Sequence, residues 1–274
     1  MQTIEVNGAV IPALGFGTWE LRGRDAYRMV RAALDIGYRH IDTARMYGNE
    51  DEVGRAIADS GVARDQVFLT TKIWTDCFRD GELQRAAEDS LRRLRVDAVD
   101  LLLLHWPNPA VPLTETLGAL NDVHARGWTR HIGVSNFNTR LIDAAVATSD
   151  APLVVNQVEY HPYLNQGKVL ERLRAHGMGL TAYRPIAQGK VLDDPVIQRI
   201  AERHGRNPVQ VTLRWLLQQD GVSAIPRSSS ERRAESNFAV SGFSLSDEEM
   251  AEIHALARPD GRMVDPADMN VSWD

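Results

Sequence analysis

The sequence predicts a single α/β domain, a (β/α)8 TIM barrel preceded by a short β-hairpin. Three observations carry this. Eight short apolar runs recur along the 274 residues. Helical patterns of about ten to fifteen residues separate them. No Ser/Gly/Pro-rich or low-complexity stretch divides the chain, so one domain is expected over 1–274. Strand–helix alternation calls for parallel pairing through right-handed crossovers. Eight such units at this length fit a closed barrel better than an open sheet.

Val6-Asn7-Gly8-Ala9-Val10-Ile11 reads as the hairpin, turning at Asn-Gly. The apolar runs then follow as Leu14–Gly17, Arg39–Ile41, Val67–Thr71, Val99–Leu104, His131–Val134, Leu153–Val155, Gly179–Ala182 and Val222–Ile225. Over 24–36, Tyr27, Val30, Arg31 and Leu34 stand at helical spacing, with Gly37 as a cap. Over 82–95, Leu83, Ala86, Ala87, Ser90, Leu91 and Leu94 share one helix face. Asp35-Ile36-Gly37, Ala125-Arg126-Gly127 and Ala175-His176-Gly177 repeat as stop signals before the second, fifth and seventh runs. Ser246-Asp247-Glu248-Glu249 forms a capping box ahead of Met250. The rival architecture, a doubly wound sheet, wants a glycine fingerprint after its first strand. Gly15-Phe16-Gly17-Thr18-Trp19-Glu20 lacks the third glycine.

Composition narrows the function classes. Apolar residues make up 43% and charged residues 25%, as in ordinary globular chains. A net charge of −6 argues against nucleic acid as a partner, since phosphate backbones need a basic surface. The one cysteine, Cys77, allows neither an internal disulfide framework nor a cysteine metal site, and no zincin-type His spacing occurs. The start of the chain lacks the basic and apolar segments of a secretory signal. Its longest apolar run, Val99–Leu104, is too short to span a bilayer. A cytoplasmic protein with no membrane or metal partner is expected.

In a barrel, catalytic groups project from the C-terminal ends of the strands. The eight runs are followed in order by Thr18-Trp19; by Asp42, with Tyr47 five residues on; by Lys72 and Trp74; by His105-Trp106; by Ser135-Asn136; by Asn156-Gln157; by Tyr183; and by Pro226-Arg227-Ser228. Singly, each has a structural explanation: a cap for Asp42, a solvated charge for Lys72, a hydrogen-bonded core imidazole for His105, rim packing for the tryptophans. Jointly they form a proton-handling set. A lysine held by an aspartate favours a phenolate and is expected to lower the Tyr47 pKa from about 10, making Tyr47 a usable general acid. His105 is placed to orient a carbonyl oxygen. His161-Pro162, after the sixth run, reads as structural.

Gly37-Tyr38-Arg39-His40-Ile41-Asp42-Thr43-Ala44, followed after five residues by Glu50 and then by Val53-Gly54, resembles the first signature of the aldo-keto reductases. Ile132-Gly133-Val134-Ser135-Asn136-Phe137 resembles a second family motif. Ile225-Pro226-Arg227-Ser228, with Arg233 and Asn237 beyond, resembles a third. Gln188-Gly189-Lys190, the short length and the ending Trp273-Asp274 are most similar to the bacterial 2,5-diketo-D-gluconate reductase branch, in particular its B-type members.

The resemblance implies NADPH-dependent reduction of small aldehydes and ketones, including sugar-derived or keto-acid substrates, by a monomer. It implies a catalytic tetrad of Asp42, Tyr47, Lys72 and His105. It implies that Ser135, Asn136 and Gln157 hold the nicotinamide carboxamide, that Tyr183 stacks on the ring, and that 227–237, with Arg227, Ser228, Arg233 and Asn237, holds the adenosine 2′-phosphate. Thr18, Trp19 and Arg184-Pro185-Ile186 are also placed on the cofactor. Trp19, Trp74, Trp106 and Trp273 line the substrate pocket. Two positions depart from the family pattern: Arg227 replaces a usual lysine and keeps the charge, and Arg184 replaces a frequent serine. Arg184 then either alters the pyrophosphate contacts or favours acidic substrates.

Two other functions fit parts of the sequence. A Schiff-base aldolase would use Lys72 as nucleophile and Tyr47 as proton donor, leaving Ser135, Asn136, Gln157 and the Arg227 segment without a role. A dinucleotide-binding sensor would keep those residues and turn over carbonyls negligibly.

Overall fold

The computed structural model describes residues 2–267, 269 and 271–274. The expected hairpin is its first element. β1 (Thr3–Val6) pairs antiparallel with β2 (Ala9–Pro12). Asn7 and Gly8 at the turn both take positive φ, 42° and 84°, as a two-residue connection of this hand requires. The Asn7 amide donates to the carbonyls of Leu153 and His176, and Ile4, Val6, Ala9 and Ile11 are buried. The hairpin therefore covers the end of the barrel where strands begin.

Eight parallel strands follow: β3 (Phe16–Gly17), β4 (His40–Asp42), β5 (Phe68–Ile73), β6 (Val99–Leu104), β7 (Thr129–Ser135), β8 (Leu153–Glu159), β9 (Gly179–Tyr183) and β10 (Val222–Ala224). Each hydrogen-bonds its neighbour in sequence order from β3 to β10. The two ends then meet. Leu14 bridges Ala224 and Gly17 bridges Arg227, while Gly15 N donates to Ala224 O and Ala224 N to Ala13 O, each at 2.8 Å. The sheet is closed. A Cβ on Gly17 would stand 2.7 Å from the Ile225 carbonyl oxygen. The glycines of Gly15-Phe16-Gly17 thus belong to the seam of a barrel, which is why the third glycine of a dinucleotide turn is missing.

The helices occupy the intervals between strands. In Glu82–Leu94 every position assigned to the inner face is buried, and Arg95 caps the end with φ 58°. Gly23–Ile36 differs slightly. Its buried stripe is Ala26, Met29, Val30, Ala33 and Leu34, and Tyr27 and Arg31 lie at the edge. Tyr27 is drawn there because its hydroxyl donates to Asp59 and its ring stacks under Arg55. Helix Glu50–Asp59 packs so closely on the end of Glu82–Leu94 that a Cβ at Gly54 would lie 2.3 Å from the Leu94 carbonyl oxygen. Between β9 and β10 the chain makes two helices, Pro195–His204 and Pro208–Leu217, the second opened by a reciprocal Asn207–Gln210 cap. The Ser246–Glu249 capping box is present. No helix among the described residues is long and apolar enough to cross a membrane.

Several strands run past the apolar runs into polar residues. β5 takes in Lys72, β7 ends on Ser135, and β8 continues through Asn156, Gln157 and Glu159, all buried. A parallel ladder uses only backbone groups, so it continues wherever the inward side chains find partners. They do: Asn156 bonds the backbone of Phe137, and Glu159 accepts from His161. These polar strand ends build the mouth of the barrel.

Candidate active site

At the end of β4, the Asp42 carboxylate is 1% exposed. One strand over, Lys72 on β5 is fully buried. Its ammonium donates to Asp42 Oδ1 at 2.6 Å, to the Thr43 carbonyl at 2.8 Å and to the Tyr47 hydroxyl oxygen at 3.2 Å. Tyr47 reaches this point from a single turn, Arg45–Tyr47, which brings the phenol back over the strand ends. A lysine ammonium has three hydrogens, and here each has an acceptor. Because Lys72 donates to the phenol oxygen, the hydrogen of the phenol is left to point elsewhere.

His105 follows β6 and faces the same space. Its ring lies 5.7 Å from that of Tyr47 and 5.0 Å from that of Trp74, centroid to centroid. Trp19 leans on Tyr47 at 4.8 Å, and Trp106 packs against Trp273 at 6.1 Å. The structure therefore brings together Asp42, Tyr47, Lys72 and His105 inside an aromatic rim.

The electrostatics correct one expectation. Burial, and then the Asp42 charge, push the Tyr47 phenol well above its ordinary value. The Lys72 hydrogen bond still favours the phenolate, but burial and the Asp42 charge outweigh it. Burial also lowers the Lys72 ammonium, and Asp42 opposes this. Burial, followed by the Lys72 charge, holds His105 well below the usual imidazole range. At neutral pH the site thus contains a protonated phenol and a neutral imidazole with one N–H to donate. Both can give a hydrogen bond to a carbonyl oxygen.

Ser135, Asn136, Gln157 and Tyr183 form an adjoining cluster. Gln157 Nε2 donates to the second Asp42 oxygen at 2.8 Å. Ser135 Oγ donates to the Gln157 carbonyl, Asn136 Nδ2 donates to the His105 carbonyl, and Tyr183 OH donates to Asn136 Oδ1 at 2.8 Å. Asn136 adopts φ 63°, and its side chain links the His105 carbonyl to the Tyr183 hydroxyl. Thr18 is buried and its hydroxyl donates to the Asp42 carbonyl. Arg184, Pro185 and Ile186 continue directly from Tyr183, with Arg184 at φ 48°. This polar wall meets the proton-handling set at Asp42.

Beyond the seam, Arg227 is exposed and donates to the Trp19 carbonyl, with Glu20 at 3.4 Å. Ser228 is buried, Arg233 bonds the Ser229 hydroxyl at 3.1 Å, and Asn237 is buried on the same helix, Glu231–Phe238. Glu231, one of two acids in this segment, pairs with Arg28 at 2.6 Å. The exposed cations, the serine hydroxyls and the start of the helix together make a surface suited to a phosphate.

Sequence reasoning gave no catalytic role to five further residues, Thr43, Glu50, Glu159, His161 and Arg262. The Thr43 carbonyl holds Lys72, but a backbone acceptor has no sequence signature. Glu50, inside the first signature, is buried and accepts from Thr71 beside Lys72. Glu159 and His161 form a buried pair at 2.9 Å, consistent with a structural His161. Arg262, on the tail, stacks on Trp273.

A closed barrel with a buried Lys–Asp pair presenting a phenol at its C-terminal mouth defines an oxidoreductase of the carbonyl-reducing class. The model of the aldo/keto reductase family matches residues 13–258. The chain is 42% identical over 267 residues to the methylglyoxal reductase DkgB of Salmonella typhi, covering 96% of this chain and 99% of that one. A crystal structure described provisionally as a 2,5-diketo-D-gluconic acid reductase B superposes with a TM-score of 0.99 at 51% identity, covering 100% of this chain and 98% of that one. A variant of Gox0644, solved in complex with NADPH, superposes with a TM-score of 0.92 at 37% identity over 100% and 99% of the two chains. The chain belongs to the aldo/keto reductase family.

Proposed function

We propose that residues 1–274 act as one monomeric, cytoplasmic barrel unit that reduces small aldehydes and ketones with NADPH. Small dicarbonyls of the methylglyoxal type are included, as the name of the Salmonella typhi relative suggests. The observation that carries the reading is the Lys72 ammonium, held at once by Asp42 and the Tyr47 oxygen. The cofactor, when bound, supplies the hydride that adds to the carbonyl carbon. Tyr47 gives its proton to the carbonyl oxygen, so that carbonyl, hydride and proton sum to the alcohol. Lys72 stabilises the phenolate left behind, and water returns the proton to it. Asp42 orients Lys72, and neutral His105 holds the carbonyl oxygen by a hydrogen bond. Trp19, Trp74, Trp106 and Trp273 exclude water around it.

The donor set fits the cofactor at both ends. Ser135, Asn136 and Gln157 carry hydroxyl and amide groups matched to a carboxamide, and Tyr183 offers a ring beside them. Arg227, Ser228, Arg233 and Asn237 carry the chemistry for a phosphate. A Schiff-base mechanism fits less well, because a nucleophilic amine needs a free lone pair and Lys72 is a buried, fully engaged ammonium. Loss of reduced-nicotinamide absorbance with a panel of aldehydes and ketones tests the function. Turnover with no member of the panel would refute it, and borohydride trapping of substrate on Lys72 would favour the aldolase.

The cofactor preference has its own test. Arg227→Gly is expected to lower kcat/KM for NADPH by about ten- to a hundredfold, the size of a lost hydrogen bond to a charged group. NADH, which lacks the phosphate, should be nearly unaffected. Equal losses for both cofactors, or equal use of both by the parent, would show that this segment does not read the 2′-phosphate.

A further inference from the structure

Just past β3 the chain makes a tight turn over 18–21, closed by Leu21 N donating to the Thr18 carbonyl at 3.0 Å. Buried groups pin it in place. The Thr18 hydroxyl donates to the Asp42 carbonyl at 3.0 Å. The fully buried Asn49 amide donates to the carbonyls of Thr18 and Leu21, at 3.0 and 2.9 Å. Glu20 is the third residue of this turn and has φ 64°. Turns with a positive φ at that position usually give it to glycine or asparagine, because a Cβ is strained there. A strained residue persists only where its surroundings hold it, and such residues cluster at functional sites.

The turn meets Arg227 with both its backbone and its acid. The Trp19 carbonyl accepts from Arg227 Nε at 3.2 Å, and Glu20 Oε2 lies 3.4 Å from Arg227 Nη2. Glu20 has no other hydrogen bond or ion pair among the described residues. Arg233, the second arginine assigned to the 2′-phosphate, bonds the Ser229 hydroxyl at 3.1 Å. It has no carboxylate within 4.0 Å among the described residues. Of the two cations, Arg227 alone comes with an acid.

We propose that Glu20 is a specificity-determining residue, a built-in counter-ion that competes with the cofactor's 2′-phosphate for Arg227. NADPH has to displace it. NADH carries a hydroxyl at that position and does not. A phosphate brings more charge and more acceptor oxygens than a carboxylate, so it wins the guanidinium. Glu20 therefore narrows the preference for NADPH without reversing it. The two side chains are 39% and 61% exposed, so water screens the pair and keeps its effect modest. The inference rests on the phosphate-reading role of Arg227 proposed above and adds the charge that opposes it.

Equilibrium binding of NADP+ and NAD+, measured by calorimetry with no carbonyl substrate present, tests it. Glu20→Gln keeps the length of the side chain and removes its charge. Its Kd for NADP+ should fall about two- to fivefold, the range of an exposed ion pair. NAD+ should bind as it does to the parent. Glu20→Gly, which suits a positive φ, should give the same gain and shows that the charge is the cause. The gain should shrink as salt is raised. With Arg227→Gly already in place, Glu20→Gln should bring no gain. NADP+ binding that is unchanged or weaker in both Glu20 variants overturns the proposal. So does an equal gain for both cofactors, or an undiminished gain without Arg227. A parent that binds NADP+ no better than NAD+, with Arg227→Gly altering neither, refutes the phosphate role of Arg227 and takes the proposal with it. That pattern is distinct from every outcome in the Glu20 variants.

Discussion

Tyr47→Phe is expected to lower carbonyl reduction by at least about a hundredfold, the low end of the contribution of a general acid. The substitution removes the hydroxyl that receives Lys72 at 3.2 Å and leaves the ring, so the packing against Trp19 and His105 survives. Cofactor affinity should change by no more than a few-fold. The parent pH profile is a second readout. Reduction needs the protonated phenol, and burial with the Asp42 charge raises its pKa above the ordinary value. The active form is therefore complete at neutral pH and is lost only as pH rises through that elevated value. The acid limb is set low as well, because His105 gains a proton only well below pH 6.5. A plateau through neutrality that Tyr47→Phe lowers as a whole agrees with this. Near-normal turnover in Tyr47→Phe would show that the proton comes from elsewhere.

Lys72→Met should abolish most activity and also weaken the fold, through separate causes. Activity is lost because nothing then stabilises the Tyr47 phenolate; the remaining Asp42 charge shifts any residual proton transfer to higher pH. Stability is lost because Asp42, 1% exposed, is left without its cation. Breaking a buried pair by removing one partner costs about 3–5 kcal/mol. The double variant Asp42→Asn with Lys72→Met separates the two effects. It removes both charges, so it should melt above the single Lys72→Met variant while remaining inactive. Thermal melting with single-turnover assays makes the comparison. A single variant as stable as the parent would show that Asp42 accepts a proton there without penalty.

Sequence and structure agree where chemistry is tied to periodicity. The barrel was legible because the strand–helix units repeat an apolar run and a helical pattern, with a stop glycine before three of the runs. Asp42, Tyr47, Lys72 and His105 were legible because each sits at or just past the end of such a run. The strand ends themselves were not. Gln157 and Glu159 look like loop residues after Val155, yet the ladder carries them into β8 because their side chains find partners from other strands. The rise of the Tyr47 pKa was equally hidden, since it depends on burial and on the nearness of the Asp42 charge. Arg262 lies in a tail with no period, and its stacking on Trp273 follows only from the folded path of that tail.

The fastening of that tail has an evolutionary consequence. Glu159 grips residues 263 and 264 by their main-chain amides, not by their side chains. Any residue except proline offers the same grip. Mutations there can therefore change the side chains of the tail without releasing it, and a descendant enzyme can vary this stretch on an anchor that does not register the change.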